Sequence, residues 1–236
     1  MQPLHILPGW GLGRGPLEAI AAALGGAFID LPGYGETPLN ADFDRAAEAI
    51  AERLPEGGTL AGWSLGAMLA LAIAARAPAK VGRLLLIAGT PSFVQRDGWP
   101  DAMPPATLSE FTAAIIADPM AMLPRFVGNF NRGDARAKTV TAEILRLASP
   151  LPPAEALATG LDWLRDVDLR ADAPRITAPT LLIHGEADPL MPLCAARSLA
   201  ALIPGARLAA LDGAAHTPFL SRPDDFLAQT RAFVHA

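Results

Sequence analysis

Ser64 lies within Gly62-Trp63-Ser64-Leu65-Gly66, flanked two places away on each side by a glycine. The residues before it, Thr59 to Trp63, form a short apolar run that reads as a strand, and the Ala-rich stretch Leu65 to Ala77 reads as a helix. A serine on a sharp strand-to-helix turn has its hydroxyl exposed at a sheet edge and at a helix N-terminus, and small flanking residues keep bulk away from it. The pentapeptide alone is a common pattern; the strand before it and the helix after it give it chemical meaning. The chemistry would be nucleophilic attack, and a serine hydroxyl becomes a good nucleophile only when a neighbouring base takes its proton. A histidine must therefore come from elsewhere in the chain.

Position separates the four histidines. His5 falls within the expected strand Leu4 to Leu7, His184 ends the expected strand Thr180 to His184, and His235 is next to last. His216 alone lies in a loop just after the last expected strand, in Asp212-Gly-Ala-Ala-His216-Thr-Pro-Phe219. That loop leaves the carboxyl edge of the sheet, the edge at which Ser64 is expected. Asp188, in His184-Gly-Glu-Ala-Asp188-Pro-Leu-Met-Pro192, follows the fifth expected strand and precedes His216. A carboxylate there would hold the imidazole in one tautomer and stabilise its charged form. Glu186 competes in the same loop, and an ordinary solvated loop acid or loop histidine is the plain alternative at either position. The chain order Ser, Asp, His is that of α/β-hydrolases and differs from the chymotrypsin and subtilisin orders.

A tetrahedral intermediate also needs two donors at its oxyanion. The backbone N–H of Leu65, directly after the serine, is one candidate, and the N–H of Trp10 in Pro8-Gly9-Trp10-Gly11-Leu12-Gly13 is the other. Gly9, Gly11 and Gly13 alternate too closely for a dinucleotide loop, and no phosphate lysine follows them. No metal or organic cofactor is expected. Cys194 is the single cysteine, which excludes an internal disulfide framework and a Cys-rich metal site.

The elements that must position these residues follow a βαβ rhythm. Strands are expected over Leu4 to Leu7, Ala27 to Leu31, Thr59 to Trp63, Leu84 to Ala88, Thr180 to His184 and Ala206 to Leu211, mostly as continuous apolar runs, as when helices cover both faces of a parallel sheet. Helices are expected over Leu17 to Leu24, Phe43 to Leu54 and Leu65 to Ala77. The fold class is therefore α/β, a doubly wound and mainly parallel sheet. After Gly89 the rhythm breaks, and until about Ala178 the pattern is helical. Thr107 with Glu110 resembles a capping box opening a helix over Leu108 to Ala117, and further helices are expected over Met120 to Asn129, Ala135 to Leu147 and Pro153 to Asp166. Residues 1–90 and 179–236 read as the core, and residues 91–178 as a helical insertion. Phe111, Ile115, Ile116, Met120, Met122 and Phe126 could shape an acyl channel there or simply pack their helices.

The bulk properties agree with a globular domain: 51% of the 236 residues are hydrophobic and 18% charged. A net charge of -5 provides no general attraction for nucleic acid or anionic lipid. The N-terminal residues lack the basic start and long apolar stretch of a secretion signal, and the longest apolar run, Leu65 to Ala75, is too short to span a bilayer. A cytoplasmic monomer without a membrane partner is expected.

Several stretches together resemble one family: Pro8-Gly-Trp-Gly-Leu12, Asp30-Leu-Pro-Gly-Tyr-Gly35, Gly62-Trp-Ser-Leu-Gly66, Arg96-Asp-Gly-Trp-Pro100, Arg125-Phe126, Val167-Asp-Leu-Arg170, Asp188-Pro-Leu-Met-Pro192 and Ala214-Ala-His-Thr-Pro-Phe219. Over nearly its whole length the chain is similar to the α/β-hydrolases of the biotin pathway, carboxylesterases that cleave the methyl ester of pimeloyl-[acyl-carrier protein]. The resemblance implies a four-helix lid and substrate contacts from Trp10, Ser64, Leu65, His216 and the lid residues Phe126, Val127, Gly128, Asn129 and Phe130. It also implies that lid cations, among them Arg125, Arg132, Arg136 and Lys138, meet an acidic acyl-carrier protein. Between Pro119 and Pro150 these four and Arg146 face only Asp134 and Glu143, a basic excess that can steer an acidic partner, although a solvated helix face accounts for it equally well. This chain has Pro8 where the family usually has histidine, and it enters the first strand without the family's preceding β-hairpin, so a shortened sheet edge is expected. A general short-chain esterase, a thioesterase and a C–C hydrolase share the same triad, and an inactive hydrolase fold used for binding is the alternative of another class.

Overall fold

A computed structural model describes residues 3–148 and 150–235. Met1 and Gln2, part of the segment searched for a leader, lie outside the described residues, as do Ser149 and Ala236. Among the described residues no helix is long and apolar enough to cross a membrane.

Six strands, β1 (Leu4–Leu7), β2 (Gly26–Phe28), β3 (Gly58–Trp63), β4 (Val81–Ile87), β5 (Thr180–Gly185) and β6 (Arg207–Leu211), form one sheet in the order β2-β1-β3-β4-β5-β6. Every neighbouring pair is parallel. Burial follows the sequence pattern: β3 and β5 are buried at every position, whereas the edge strand β6 is half exposed. The other edge, β2, has three residues and is shorter than the apolar run Ala27 to Leu31 suggested. Ile29 still donates to the Ile6 carbonyl, and Ile29 and Leu31 stay buried, so the apolar pattern outlasts the ladder into a loop that covers the core.

Five helices pack around this sheet, α1 (Glu18–Leu24), α2 (Phe43–Arg53), α3 (Leu65–Arg76), α8 (Leu193–Leu202) and α10 (Pro223–Val234), with the single turn α9 (Pro218–Ser221) after the last strand. In α3 all residues from Leu65 to Ala75 are buried, since the helix packs against β1, β3 and β4 and is also covered by α2. The Asp42 side chain starts α2 by accepting from the amides of Asp44 and Arg45. Helices α8 and α10 lie outside the segments expected from the sequence to be helical.

Among the described residues four more helices lie between β4 and β5: α4 (Pro105–Ala117), α5 (Pro119–Phe130), α6 (Ala137–Leu147) and α7 (Ala154–Asp166). The expected capping box does not open α4. The helix starts at Pro105 after Pro104, one turn earlier than expected, because proline is well suited to the first helical position, and Thr107 faces the pocket described below. Helix α6 begins two residues later than expected; ahead of it the Ala135 amide donates to the Gly213 carbonyl and the Arg136 amide to the Asp134 side chain. The two ends of the helical segment are latched at its neck. Leu169 donates to the Pro91 carbonyl, the Arg96 guanidinium reaches Ser92 and the Arg165 carbonyl, and Arg170 binds Asp168 and the Asp97 carbonyl. This is the structural use of the Arg96-Asp-Gly-Trp-Pro100 and Val167-Asp-Leu-Arg170 stretches.

Candidate active site

Strand β3 ends at Trp63 and α3 starts at Leu65, so Ser64 makes the turn alone, with φ 56° and ψ -118°. A positive φ at a non-glycine residue costs on the order of 1–3 kcal/mol and persists only where the surroundings enforce it. Here the Ser64 amide donates to the Ile87 carbonyl, and its carbonyl accepts from Ala67 and Met68 in α3. Both flanking glycines are needed for space. A Cβ on Gly62 would strike the Gly66 carbonyl, and one on Gly66 would strike the carbonyls of Leu7 and Pro8.

The Ser64 hydroxyl lies 3.0 Å from Nε2 of His216, and Nδ1 of the same ring lies 2.8 Å from Oδ2 of Asp188. A neutral imidazole can serve both contacts in one tautomer, with Nδ1–H donating to Asp188 and Nε2 accepting from the serine. The other Asp188 oxygen accepts from the amides of Leu190 and Met191 at 2.9 and 3.0 Å, which fixes the carboxylate plane. Burial pushes the Asp188 carboxyl upward, but His216 beside it, with help from His184 and the Met191 amide, outweighs burial and holds it below the usual carboxylate range. Of the two acids in this loop, Asp188 meets the histidine; Glu186 is exposed.

His184 belongs to β5, in keeping with its place in the sequence. It lies on the far side of Asp188, with Nε2 3.5 Å from Oδ2 and 2.5 Å from the Met191 carbonyl. Contact with a carbonyl requires Nε2–H as donor, so this ring braces the turn that carries the acid. Burial keeps it neutral by lowering its pKa, against the opposing pull of Asp188 and the Met191 contact.

The loop after β1 is held from three sides. The Gly11 amide donates to the buried Tyr34 hydroxyl at 2.8 Å, the Trp10 indole donates to the Leu157 carbonyl at 2.9 Å, and Gly9 lies so close to the Trp63 ring that a Cβ would come within 2.9 Å of it. Leu65 is the first residue of α3, so its amide has no partner within its own helix.

Ser64 and His216 open into a cavity of about 310 Å³ whose walls are mostly aromatic and aliphatic. Trp10 is its hub, meeting Phe111 and Phe126 edge-on with ring centroids 5.7 and 5.5 Å apart, and Phe126 in turn meets Phe130. Thr107, Asn129 and Arg132 supply its polar part. The segment expected to touch substrate divides by helix face: Phe126, Asn129 and Phe130 line the cavity, whereas Val127 is fully buried in packing and Gly128 is exposed away from it. A five-residue run on a helix turns through more than one revolution, so it cannot present every side chain to one pocket. The proposed acyl-channel residues divide likewise. Phe111 and Phe126 face the cavity, Ile115 is core, Met122 packs against the core, and Ile116 and Met120 are 65% and 69% exposed. The basic residues Arg125, Arg132, Arg136 and Lys138 are all exposed; Arg132 bonds the Asn129 side-chain oxygen at 3.2 Å and Arg136 reaches the Leu220 carbonyl through Nη1 at 3.3 Å.

The model of the alpha/beta hydrolase family matches residues 6–230. The chain belongs to the α/β-hydrolase family. This hydrolase is 41% identical over 94% of both chains to the pimeloyl-[acyl-carrier protein] methyl ester esterase of Aromatoleum aromaticum. It is also 33% identical, over 98% of its own length and 44% of the relative's, to the biotin biosynthesis bifunctional protein BioHC of Teredinibacter turnerae. In three dimensions it is similar to an esterase from Exiguobacterium antarcticum, with a TM-score of 0.90 and 26% identity over 100% of this chain and 92% of that one.

Proposed function

We propose that this hydrolase cleaves the methyl ester of pimeloyl-[acyl-carrier protein] to the free acid and methanol, with Ser64, His216 and Asp188 as its catalytic triad. The observation that carries the reading is the continuous hydrogen-bonded relay from Asp188 through His216 to Ser64, opening into an apolar cavity. The substrate comes from the kinship with esterases named for that reaction.

In this mechanism His216 Nε2 takes the Ser64 proton as the oxygen attacks the ester carbonyl. The oxyanion of the tetrahedral intermediate is received by the amides of Leu65 and Trp10, each worth about 3 kcal/mol of barrier. The His216 imidazolium, stabilised by Asp188, protonates the departing methoxide, and methanol leaves an acyl-enzyme. Water enters, His216 takes one of its protons, hydroxide attacks the acyl carbon, and collapse returns the proton to Ser64 with release of the carboxylic acid. Residues 91–178 act as a lid whose aromatic inner face receives the acyl chain. Its exposed cations Arg125, Arg132 and Lys138 meet the acidic carrier.

A general carboxylesterase is the second reading, favoured by the close structural match to the Exiguobacterium antarcticum esterase. Complementation of a biotin auxotroph that lacks the esterase separates the two. Growth without biotin, lost in Ser64→Ala, is the expected result; no growth together with rapid cleavage of short p-nitrophenyl esters would select the general esterase.

A further inference from the structure

The loop that carries His216 has no regular structure of its own from Gly213 to Thr217, yet a catalytic histidine must be held to within a fraction of an ångström. From the core side it is fixed by the Trp63 indole, which donates to the His216 carbonyl at 3.0 Å. The Ala187 amide holds the Ala214 carbonyl at 2.9 Å and Asp188 holds the ring, while further restraints come from the corner between α5 and α6. Asp134 in this corner is 8% exposed, and its carboxylate accepts three hydrogen bonds. One oxygen takes the Arg136 amide at 2.7 Å; the other takes the Ala215 amide at 3.0 Å and the Ser221 hydroxyl. Fully buried Asn131 accepts from the Thr217 hydroxyl at 3.0 Å while donating to the Val127 carbonyl and to Thr141. The Ala135 amide reaches the Gly213 carbonyl at 2.8 Å, and the Phe130 ring lies 5.2 Å from the imidazole. The residues on both sides of His216, Ala215 and Thr217, are thus held by side chains of the helical segment.

We propose that Asp134 is a positioning residue for His216, so that the α5–α6 corner of the helical segment is a fixed part of the catalytic framework in addition to covering the cavity. Asp134 touches neither substrate nor the reacting atoms; it acts through the Ala215 amide, one peptide unit from the base. Without an acceptor there, the buried Ala215 N–H loses its partner and the loop shifts to find another. The inference rests on the triad reading above and deepens it.

The test compares Asp134→Leu, similar in shape but without an acceptor, with Asp134→Asn, whose amide oxygen can still face Ala215 and Ser221. On p-nitrophenyl acetate, kcat of Asp134→Leu is expected to fall about 30- to 100-fold, the scale of a small misplacement of a catalytic group. KM should stay within about twofold because the cavity walls are untouched. Asp134→Asn is expected to recover to within about fivefold of the parent, a loss no larger than one hydrogen bond. Folding is checked by a cooperative thermal transition. If Asp134→Leu does not fold, Thr217→Val decides, with kcat expected to fall about three- to tenfold for one lost hydrogen bond. Parental kcat in folded Asp134→Leu overturns the proposal, as do parental kcat in Thr217→Val or equal impairment of the Leu and Asn variants. A parent that turns over ester and loses that activity in Ser64→Ala, beside an unimpaired Asp134→Leu, refutes this inference alone. A parent inert to esters and to a fluorophosphonate probe refutes the triad reading with it.

Discussion

Asp188 lies between two imidazoles, and their environments divide the work. His216 reaches the serine, whereas His184 is buried, neutral and bonded to the Met191 carbonyl. The neutral state of His184 has a consequence for stability. Its folded pKa lies below the ordinary 6.5, so as pH falls below 6.5 the unfolded chain takes up a proton that the folded protein refuses. Its contribution is complete above the unfolded value and is lost as pH falls towards the folded one. His184→Gln is therefore expected to lower stability near neutrality and to flatten its decline between about pH 5 and 7, read from urea midpoints across that range. At this scale the sequence was informative about the three residues that the structure brings into one hydrogen-bonded chain, because each is marked by its place after a strand. It was silent on Asp134 and His184. Asp134 looks like any acid in a Gly-Asp turn, and nothing local reveals that its partners, Ala215 and Ser221, lie more than eighty residues away.

Among the elements, α7 is packed against the loop after β1 through a glycine. A Cβ on Gly160 would collide with Cδ1 of Trp10 and lie 2.9 Å from its Nε1. Gly160→Ala should therefore displace the indole and, with it, the loop that carries the proposed oxyanion donor, the Trp10 amide. The expected result is a fall in kcat of about ten- to a hundredfold, at or below the cost of losing one oxyanion donor outright. Steady-state kinetics on a short ester, with folding checked by thermal melting, measures it. Strands β3 and β5 and helix α3 were readable because burial on both faces writes continuous apolar runs, whereas α8 and α10 were not read. Boundaries shifted where the chain left the regular element: β2 stops while its apolar pattern continues, and α6 starts at Ala137, after a turn in which the Ala135 amide bonds Gly213 and the Arg136 amide bonds Asp134. The Thr107–Glu110 pattern was an imitation of a cap, overridden by prolines that start α4 earlier.

For the whole molecule, the notable asymmetry is a chain of net charge -5 that leaves Arg125, Arg132 and Lys138 exposed on the helical segment, with Arg132 at the cavity. If these cations steer an acidic carrier, reversing all three to glutamate should lower kcat/KM on the carrier-borne ester by on the order of tenfold or more at low salt, and the difference should shrink as salt is raised. Turnover of p-nitrophenyl acetate should change little, because a small neutral ester needs no steering. Fold class was legible at this scale from the βαβ rhythm and its interruption. The tie of Arg136 to the Leu220 carbonyl was not, since that carbonyl lies 84 residues away in the sequence. The most direct test of the central claim is methanol release from pimeloyl-[acyl-carrier protein] methyl ester by the parent and by Ser64→Ala in parallel. The account predicts multiple turnovers by the parent and a loss on the order of 10⁴-fold or more in the variant. Undiminished release by Ser64→Ala would contradict it.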